Sequence, residues 1–132
     1  MSYNYNLTIL VGRLTKDPEV KRFDNDRIKV SFTLAIQRPY RGLDQKNLAV
    51  DFIPAIAWGR AAEWAQKMLK KGDAILIEGR IQVRSFLREG NKRWMTEVLV
   101  HNFQVMDPSG RGAAASFGEE RELDVEETTT SE

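Results

Sequence analysis

The chemistry that this sequence offers lies in aromatic residues interleaved with basic ones. Three such groups occur: Tyr40 between Arg38 and Arg41, Trp58 shortly before Arg60, and Phe86 between Arg84 and Arg88. An aromatic ring can stack on a nucleobase, and each stack is worth about 1–3 kcal/mol with little dependence on the base. Basic side chains attract phosphates. Because a duplex cannot present base faces to such rings, the pattern favours binding of a single nucleic-acid strand.

A catalytic constellation is not recognisable in the sequence. His101 is the only histidine and lies within a predicted strand, there is no cysteine, and no glycine-rich phosphate loop precedes a Lys-Ser/Thr pair. The acidic residues of the body are scattered beside basic ones, so no carboxylate pair stands out. We therefore predict a protein that is not an enzyme and has no metal site and no cofactor. His101 is interpreted as a structural or surface residue.

Charge divides the chain into a body and a tail. Residues 107–132 hold eight acidic and two basic residues, a net charge of −6, which leaves +7 on residues 1–106. A basic body with an acidic tail is common in proteins that bind polyanions, although a solvated surface with an unrelated tail gives the same pattern. We predict one domain over residues 1–107 and, because its composition is polar and aperiodic, a short disordered acidic tail over residues 108–132.

Composition also bears on the compartment. No apolar run approaches the roughly 18 residues of a membrane span. The N-terminal segment has no basic stretch ahead of its apolar run and resembles no signal peptide. The absence of cysteine fits a reducing environment. The sequence thus predicts a soluble, cytoplasmic protein.

Five strands and one helix are predicted to position these side chains. The strands cover residues 4–14, 27–37, 48–58, 74–86 and 92–106, and the helix covers 60–71. In the second strand, Ile28, Val30, Phe32, Leu34 and Ile36 share one face. Helical spacing places Trp64 on an apolar face, where it is expected to cover one end of the core. This order of elements matches a five-stranded Greek-key barrel of the OB type, an all-β fold with one short helix.

Parity within the strands assigns further roles. Phe52 and Trp58 are six residues apart and share a face if the strand is regular. In the fourth strand Arg80, Arg84 and Phe86 lie on one side, whereas the odd-numbered positions from Ile75 to Val83 are expected to be core. Gly79 predicts a kink, and Gly12 a bend in the first strand. The segment Arg88-Glu89-Gly90-Asn91 predicts a hairpin turn.

Four segments of the chain resemble a known family. They are NLTILVGRLTKDPEVKRF, FTLAIQRPYRG, WGRAAEWAQKMLKKGDAILIEGRIQVRSF and TEVLVHNFQVMD. In this order they are similar to the bacterial single-stranded DNA-binding proteins, and the resemblance covers about residues 4–107. It implies an OB-fold subunit that binds single-stranded DNA without sequence preference in replication, recombination and repair. It also implies a homotetramer, associated with the nucleoid and encoded by a bacterium, a phage or a plasmid.

The resemblance also implies positions for the bound strand. Bases would stack on aromatic residues at four places, which are Tyr40, Phe52, Trp58 and Phe86. The basic residues expected to contact phosphate are Arg38, Arg41, Lys46, Arg60, Lys70, Lys71, Arg80, Arg84 and Arg88.

Two departures from the family pattern matter. Ile53 stands where the family often has a histidine at a subunit contact. The family's tail typically ends in an acidic run closed by Pro-Phe that recruits repair and replication enzymes, whereas this chain ends DVEETTTSE. Because such tails bind through both charge and a buried ring, we expect weak or absent recruitment of those enzymes.

Three alternative functions stay open on the sequence. The chain could be an OB-fold accessory subunit that binds RNA or a protein, such as a primosome component. It could be an enzyme, which would require a pocket with a nucleophile or a metal. It could also be a purely structural barrel subunit, in which case charge reversal at Arg80 and Arg84 would leave DNA affinity unchanged.

Overall fold

The computed structural model describes residues 3–41, 48–108 and 116–118, which form strands around one helix. The elements are β1 (Thr8–Leu14), β2 (Glu19–Arg22), β3 (Ile28–Arg41), β4 (Leu48–Trp58), α1 (Gly59–Met68), β5 (Ala74–Arg88), β6 (Asn91–Asp107) and β7 (Ser116–Gly118). The five predicted strands and the helix are therefore confirmed. The short strands β2 and β7 were not predicted, since β2 is a run of four exposed residues without alternation.

Five of the strands close into a barrel. Their order is β1-β5-β6-β4-β3, and β1 pairs with β3 through Arg13 with Ala35 and Leu14 with Leu34 to complete the circle. All these pairings are antiparallel except that of β4 with β6. The predicted five-stranded barrel of the OB type is thus confirmed. β2 extends the sheet outside the barrel by pairing with β3, and β7 pairs with β6.

The barrel core follows the period of two in β3. Ile28, Val30, Phe32 and Leu34 are buried, as predicted, and Ile36 packs against them. The helix α1 buries Ala61, Ala62 and Ala65 against this core. Trp64 packs half-buried against the same cluster, which confirms its predicted contact with the core. No helix among the described residues has the length and apolar character needed to cross a membrane.

Gly79 lets two strands approach closely. A Cβ at this position would lie 1.9 Å from the carbonyl oxygen of Leu99 in β6. The register also shifts at this point: Glu78 pairs with Asn102 but Gly79 pairs with Val100, so His101 is the extra residue of a β-bulge. The pairing is thus irregular at the position where the sequence predicts a kink, and only a residue without a Cβ fits there.

Beyond Gly79, strands β5 and β6 continue as an arm, residues 80–99, which is two-stranded from Gln82 to Glu97. The pairing of β1 with β5 ends at Thr8 and Gly79. Past that point the Asn6 side chain bonds the backbone of Ile81, and no second strand among the described residues pairs with β5. Ile81 and Val83 are 46% and 60% exposed. The expectation that they belong to the core is wrong. The arm ends in the predicted hairpin turn, in which Glu89 and Gly90 both have positive φ as a type I′ turn requires.

The predicted acidic tail lies largely outside the described residues. Of residues 108–132, the structure describes Pro108 and Ser116–Gly118. The latter segment forms β7, in which Phe117 pairs with Phe103 of β6.

Candidate nucleic-acid interface

The outer face of β3 and β4 carries two aromatic side chains at its ends. Cross-strand pairs place Lys29 opposite Trp58, Ser31 opposite Ile56, Thr33 opposite Pro54 and Ala35 opposite Phe52. Phe52 and Trp58 therefore share a face, and six residues of strand separate them by roughly 20 Å. Phe52 is 64% exposed, whereas Trp58 is half-buried. Two rings on one exposed face are spaced for several bases of a single strand.

A groove of about 240 Å³ lies between these two rings. Ser31, Thr33, Pro54 and Ile56 line it from β3 and β4. Lys16 and Glu19 lie on the side of β2, and Arg84, Met95 and Glu97 lie on the side of the arm. Arg80 belongs to the same row of residues, because it pairs with Leu99, which in turn pairs with Ile56. The groove thus has an uncharged floor between walls that each carry a basic residue.

A buried ion pair positions Arg84 at the groove wall. Arg84 Nε donates a 2.9 Å hydrogen bond to Glu97 Oε2, which also accepts one of 3.2 Å from Gln82 Nε2. The Glu97 side chain is completely buried and that of Arg84 is 42% exposed. The Arg84 guanidinium carbon lies 5.5 Å from the centroid of the Phe86 ring. Arg84 is therefore held beside a predicted stacking residue, with its charge partly compensated.

A second ion pair holds Arg38. Its Nη2 and Nε donate hydrogen bonds of 2.8 and 3.1 Å to the two carboxylate oxygens of Asp51. These hydrogen bonds, with the positive charge behind them, hold the pKa of Asp51 below its usual value. Asp51 pairs with Ile36, which packs against the core, so this ion pair lies at the Phe52 end of the sheet but on the opposite face.

Trp58 lies in a cluster of cations and rings. The Trp58 cluster comprises Lys21, Phe23, Arg27, Lys29 and Trp58. The Phe23 and Trp58 ring centroids are 5.6 Å apart with planes tilted by 36°. Arg27 lies 4.5 Å and Lys29 5.7 Å from the Trp58 centroid, and Lys21 lies 5.4 Å from that of Phe23. Since Lys21 pairs with Lys29 and Lys29 with Trp58, the three form one row across the sheet.

The arm has two chemically different faces. Because directly paired residues share a face, Phe86 lies with Arg93, whereas Ser85 lies with Trp94 on the opposite side. Near the tip a cleft of about 480 Å³ is lined by Phe86, Arg88, Glu89, Arg93 and Trp94. One face is thus a basic and aromatic continuation of the groove wall. The other face exposes Val83, Leu87 and Trp94.

The remaining predicted residues are not all brought to this face. Arg60 is exposed in the first turn of α1, and Lys70 and Lys71 lie between α1 and β5, but none of the three lines the groove. Tyr40 and Arg41 are described only as the backbone at the end of β3, and Lys46 lies outside the described residues. Among the described residues no group of His, Asp and Glu side chains could hold a metal ion.

Several residues of the site were not identified from the sequence. Glu97 gave no signal, since its role depends on a partner thirteen residues away across a hairpin. Arg27 and Lys29 could have been found, because both alternate with the apolar positions from Ile28 to Ile36 and so lie on the polar side of that strand. Phe23 could not, because only folding brings the turn between β2 and β3 against Trp58.

The comparisons with known proteins agree with one another. The profile of the "Single-strand binding protein family" matches residues 5–106. A single-stranded DNA-binding protein of Caldanaerobacter subterraneus is 41% identical over 90% of this chain and 80% of its own length. One of Halalkalibacterium halodurans is 40% identical over 80% of this chain and 62% of its own length. Single-stranded DNA-binding protein A of Bacillus subtilis is 37% identical over 86% of this chain and 66% of its own length.

Proposed function

Since the chain belongs to the single-strand binding protein family, we propose that it binds single-stranded DNA without sequence preference. The observation that carries the proposal is the outer face of the barrel, where Phe52 and Trp58 lie on either side of the groove residues Pro54 and Ile56. Phe86 lies on the arm beside Arg84, which lines the same groove. Bases stack on these rings, and stacking tolerates any base because every base has a π-face. We propose that Tyr40 is the fourth stacking residue along the path of the bound strand, which is called the DNA track below.

Phosphate contacts in this proposal come from the basic residues around the groove. Arg80, Arg84 and Arg88 flank the track on the arm, and Arg38 is assigned to the end of the sheet that carries Phe52. We assign the remaining basic residues to contacts with the part of the strand that lies outside the groove; they are Arg41, Lys46, Arg60, Lys70 and Lys71. Each phosphate that a basic residue neutralises releases counterions, so affinity should fall steeply with salt. The protein acts by binding and protecting exposed strands during replication, recombination and repair in the cytoplasm.

Tryptophan fluorescence titrated with oligo-dT across salt concentrations tests this function. The chain has three tryptophans, so a Trp64→Phe/Trp94→Phe variant leaves Trp58 as the only one. We expect quenching of Trp58 by oligo-dT, little response to the same sequence as a duplex, and a linear loss of log affinity with log salt. Equal affinity for duplex, or binding that ignores salt, would contradict the proposal. Tighter binding of oligo-U than of oligo-dT would favour the RNA-binding alternative.

Two exposed apolar surfaces support assembly into a homotetramer. Leu7, Ile9 and Val11 are exposed on β1 and the residues before it, and Ile81, Val83 and Leu87 are exposed on the arm. Contiguous exposed apolar surface of this kind is typical of protein interfaces. Two separate self-complementary surfaces allow a dimer to pair into a closed tetramer.

Sedimentation of the purified protein tests the assembly. A tetramer would have four times the chain mass of 15.1 kDa. An Ile9→Glu or a Val83→Glu substitution should yield smaller species, since each places a charge in one of the two surfaces. A wild-type protein that sediments as a monomer would rule the tetramer out. DNA binding is tested independently of assembly by the fluorescence titration.

A further inference from the structure

The turn between β2 and β3 presents a second aromatic ring beside Trp58. Phe23 is 38% exposed, and its ring is in contact with that of Trp58. The turn is closed by backbone hydrogen bonds, one of 2.8 Å from Phe23 N to Arg27 O and one of 3.1 Å from Asp26 N to Phe23 O. Phe23 is therefore held in place by the turn and still offers ring surface to solvent.

The charges around these rings differ from those at the other end of the groove. Arg38 and Arg84 are each bonded to a carboxylate. Lys21, Arg27 and Lys29 lie over aromatic rings, and none of them forms an ion pair with a described residue. A contact with an aromatic ring does not neutralise a cation, so these side chains still attract phosphate. Asp24 and Asp26 lie in the same turn and reduce that attraction, so stacking must supply most of the binding at this point.

Resting on the proposed function, we propose that the DNA track continues past Trp58 onto this turn. Phe23 is an additional stacking residue there, and Lys21 and Arg27 contact the flanking phosphates. Trp58 lies two residues beyond Ile56, which lines the groove, and the Phe23 ring centroid lies 5.6 Å from that of Trp58. A strand that follows the groove past Trp58 therefore meets a second ring and two cations without crossing an uncharged gap.

The test compares variants of Phe23 in the full chain. Phe23→Leu keeps an apolar side chain against Trp58 but removes the stacking surface, and Phe23→Tyr is the matched control that keeps the ring. We expect Phe23→Leu to weaken oligo-dT binding about tenfold. Phe23→Tyr should bind within about twofold of wild type, and both variants should keep the wild-type thermal midpoint. Equal affinity of Phe23→Leu and wild type would overturn the proposal.

Oligonucleotide length separates an added stacking position from an indirect effect on Trp58. Over lengths of about 4 to 16 nucleotides, the range that single OB folds cover, the loss caused by Phe23→Leu should grow with length. An equal loss at every length would mean that Phe23 only shapes the Trp58 site, and this would contradict the extended track.

A second variant tests the extended track independently of whether Phe23→Leu folds. Lys21→Gln/Arg27→Gln removes two surface cations, and the slope of log affinity against log salt should fall by roughly two. An unchanged slope would overturn the assignment of both phosphate contacts. Failure of wild-type protein to bind oligo-dT at all would refute the proposed function itself, a result distinct from wild-type binding that these variants leave intact.

Discussion

Arg84 has two roles that a pair of substitutions can separate. It pairs with a completely buried carboxylate and it also lines the groove. The Arg84→Met substitution keeps most of the side-chain length but removes the charge. Glu97 would then keep a single hydrogen-bond donor, Gln82 Nε2 at 3.2 Å. Its other oxygen, Oε1, accepts no hydrogen bond from the described residues.

The expected cost follows from this geometry. Breaking a buried ion pair by removing one partner typically destabilises a protein by about 3–5 kcal/mol. We expect Arg84→Met to lower the free energy of unfolding by about 3 kcal/mol, the lower end of that range. The reason is that the Arg84 side chain is 42% exposed and water can reach part of the space that it leaves. The double variant Arg84→Met/Glu97→Gln has no buried charge to compensate and should recover most of that loss.

DNA binding should not recover with stability. Both variants lack the Arg84 cation, so each should show a salt slope lower by about one phosphate contact. The single variant Glu97→Gln should instead bind oligo-dT more tightly than wild type, since Arg84 keeps its charge and loses its compensating carboxylate.

Urea unfolding at fixed protein concentration and salt-dependent oligo-dT titrations provide the two measurements. Fixed concentration matters because the stability of an oligomer depends on it. If Arg84→Met and Arg84→Met/Glu97→Gln were equally stable, the buried carboxylate would not depend on Arg84. If both kept the wild-type salt slope, Arg84 would not contact phosphate, and the arm would have to be removed from the track.

Three further predictions concern other parts of the structure. Phe52→Ala should weaken oligo-dT binding by about 1–3 kcal/mol with little change in thermal midpoint, since that side chain is 64% exposed; a large loss of stability would contradict this. Gly79→Ala should destabilise the barrel strongly in thermal unfolding, because its Cβ would lie 1.9 Å from the Leu99 carbonyl oxygen; a wild-type midpoint would show that the bulge adapts. Because Arg38 lowers the pKa of Asp51 in the folded state, the pair stabilises the protein above the ordinary Asp pKa, and this contribution is lost as pH falls through the lowered value. In acid unfolding, the stability of Asp51→Asn should therefore fall less than that of wild type as the pH drops. An unchanged pH dependence would refute the stabilising role of this ion pair.

Strand parity accounts for most of what could be predicted about the fold. The alternation in β3 identified its buried face, because each inward position meets the same core. The spacing of Phe52 and Trp58 placed both on one face for the same reason. The glycine at position 79 predicted an irregularity in β5, and the strand pairing shifts there through the bulge at His101. These features depend on the local period of the backbone, which the sequence carries directly.

The alternation of side chains predicted the wrong environment where β5 loses a neighbouring strand. Ile81 and Val83 continue the inward pattern of β5, yet they are exposed because β1 ends its pairing at Gly79. No local feature of β5 records where another strand stops. The same residues that would be core inside the barrel become an apolar surface on the arm.

The sequence alone determined the barrel, its single helix and the presence of aromatic rings beside basic residues, since these follow from periodicity and residue type. Only the tertiary structure decided which cations are compensated and which rings meet. Glu97 reaches Arg84 across a hairpin, and Phe23 reaches Trp58 across thirty-five positions of chain. Such contacts depend on strand register and on the path of a turn, and a one-residue change in register would redirect every side chain involved.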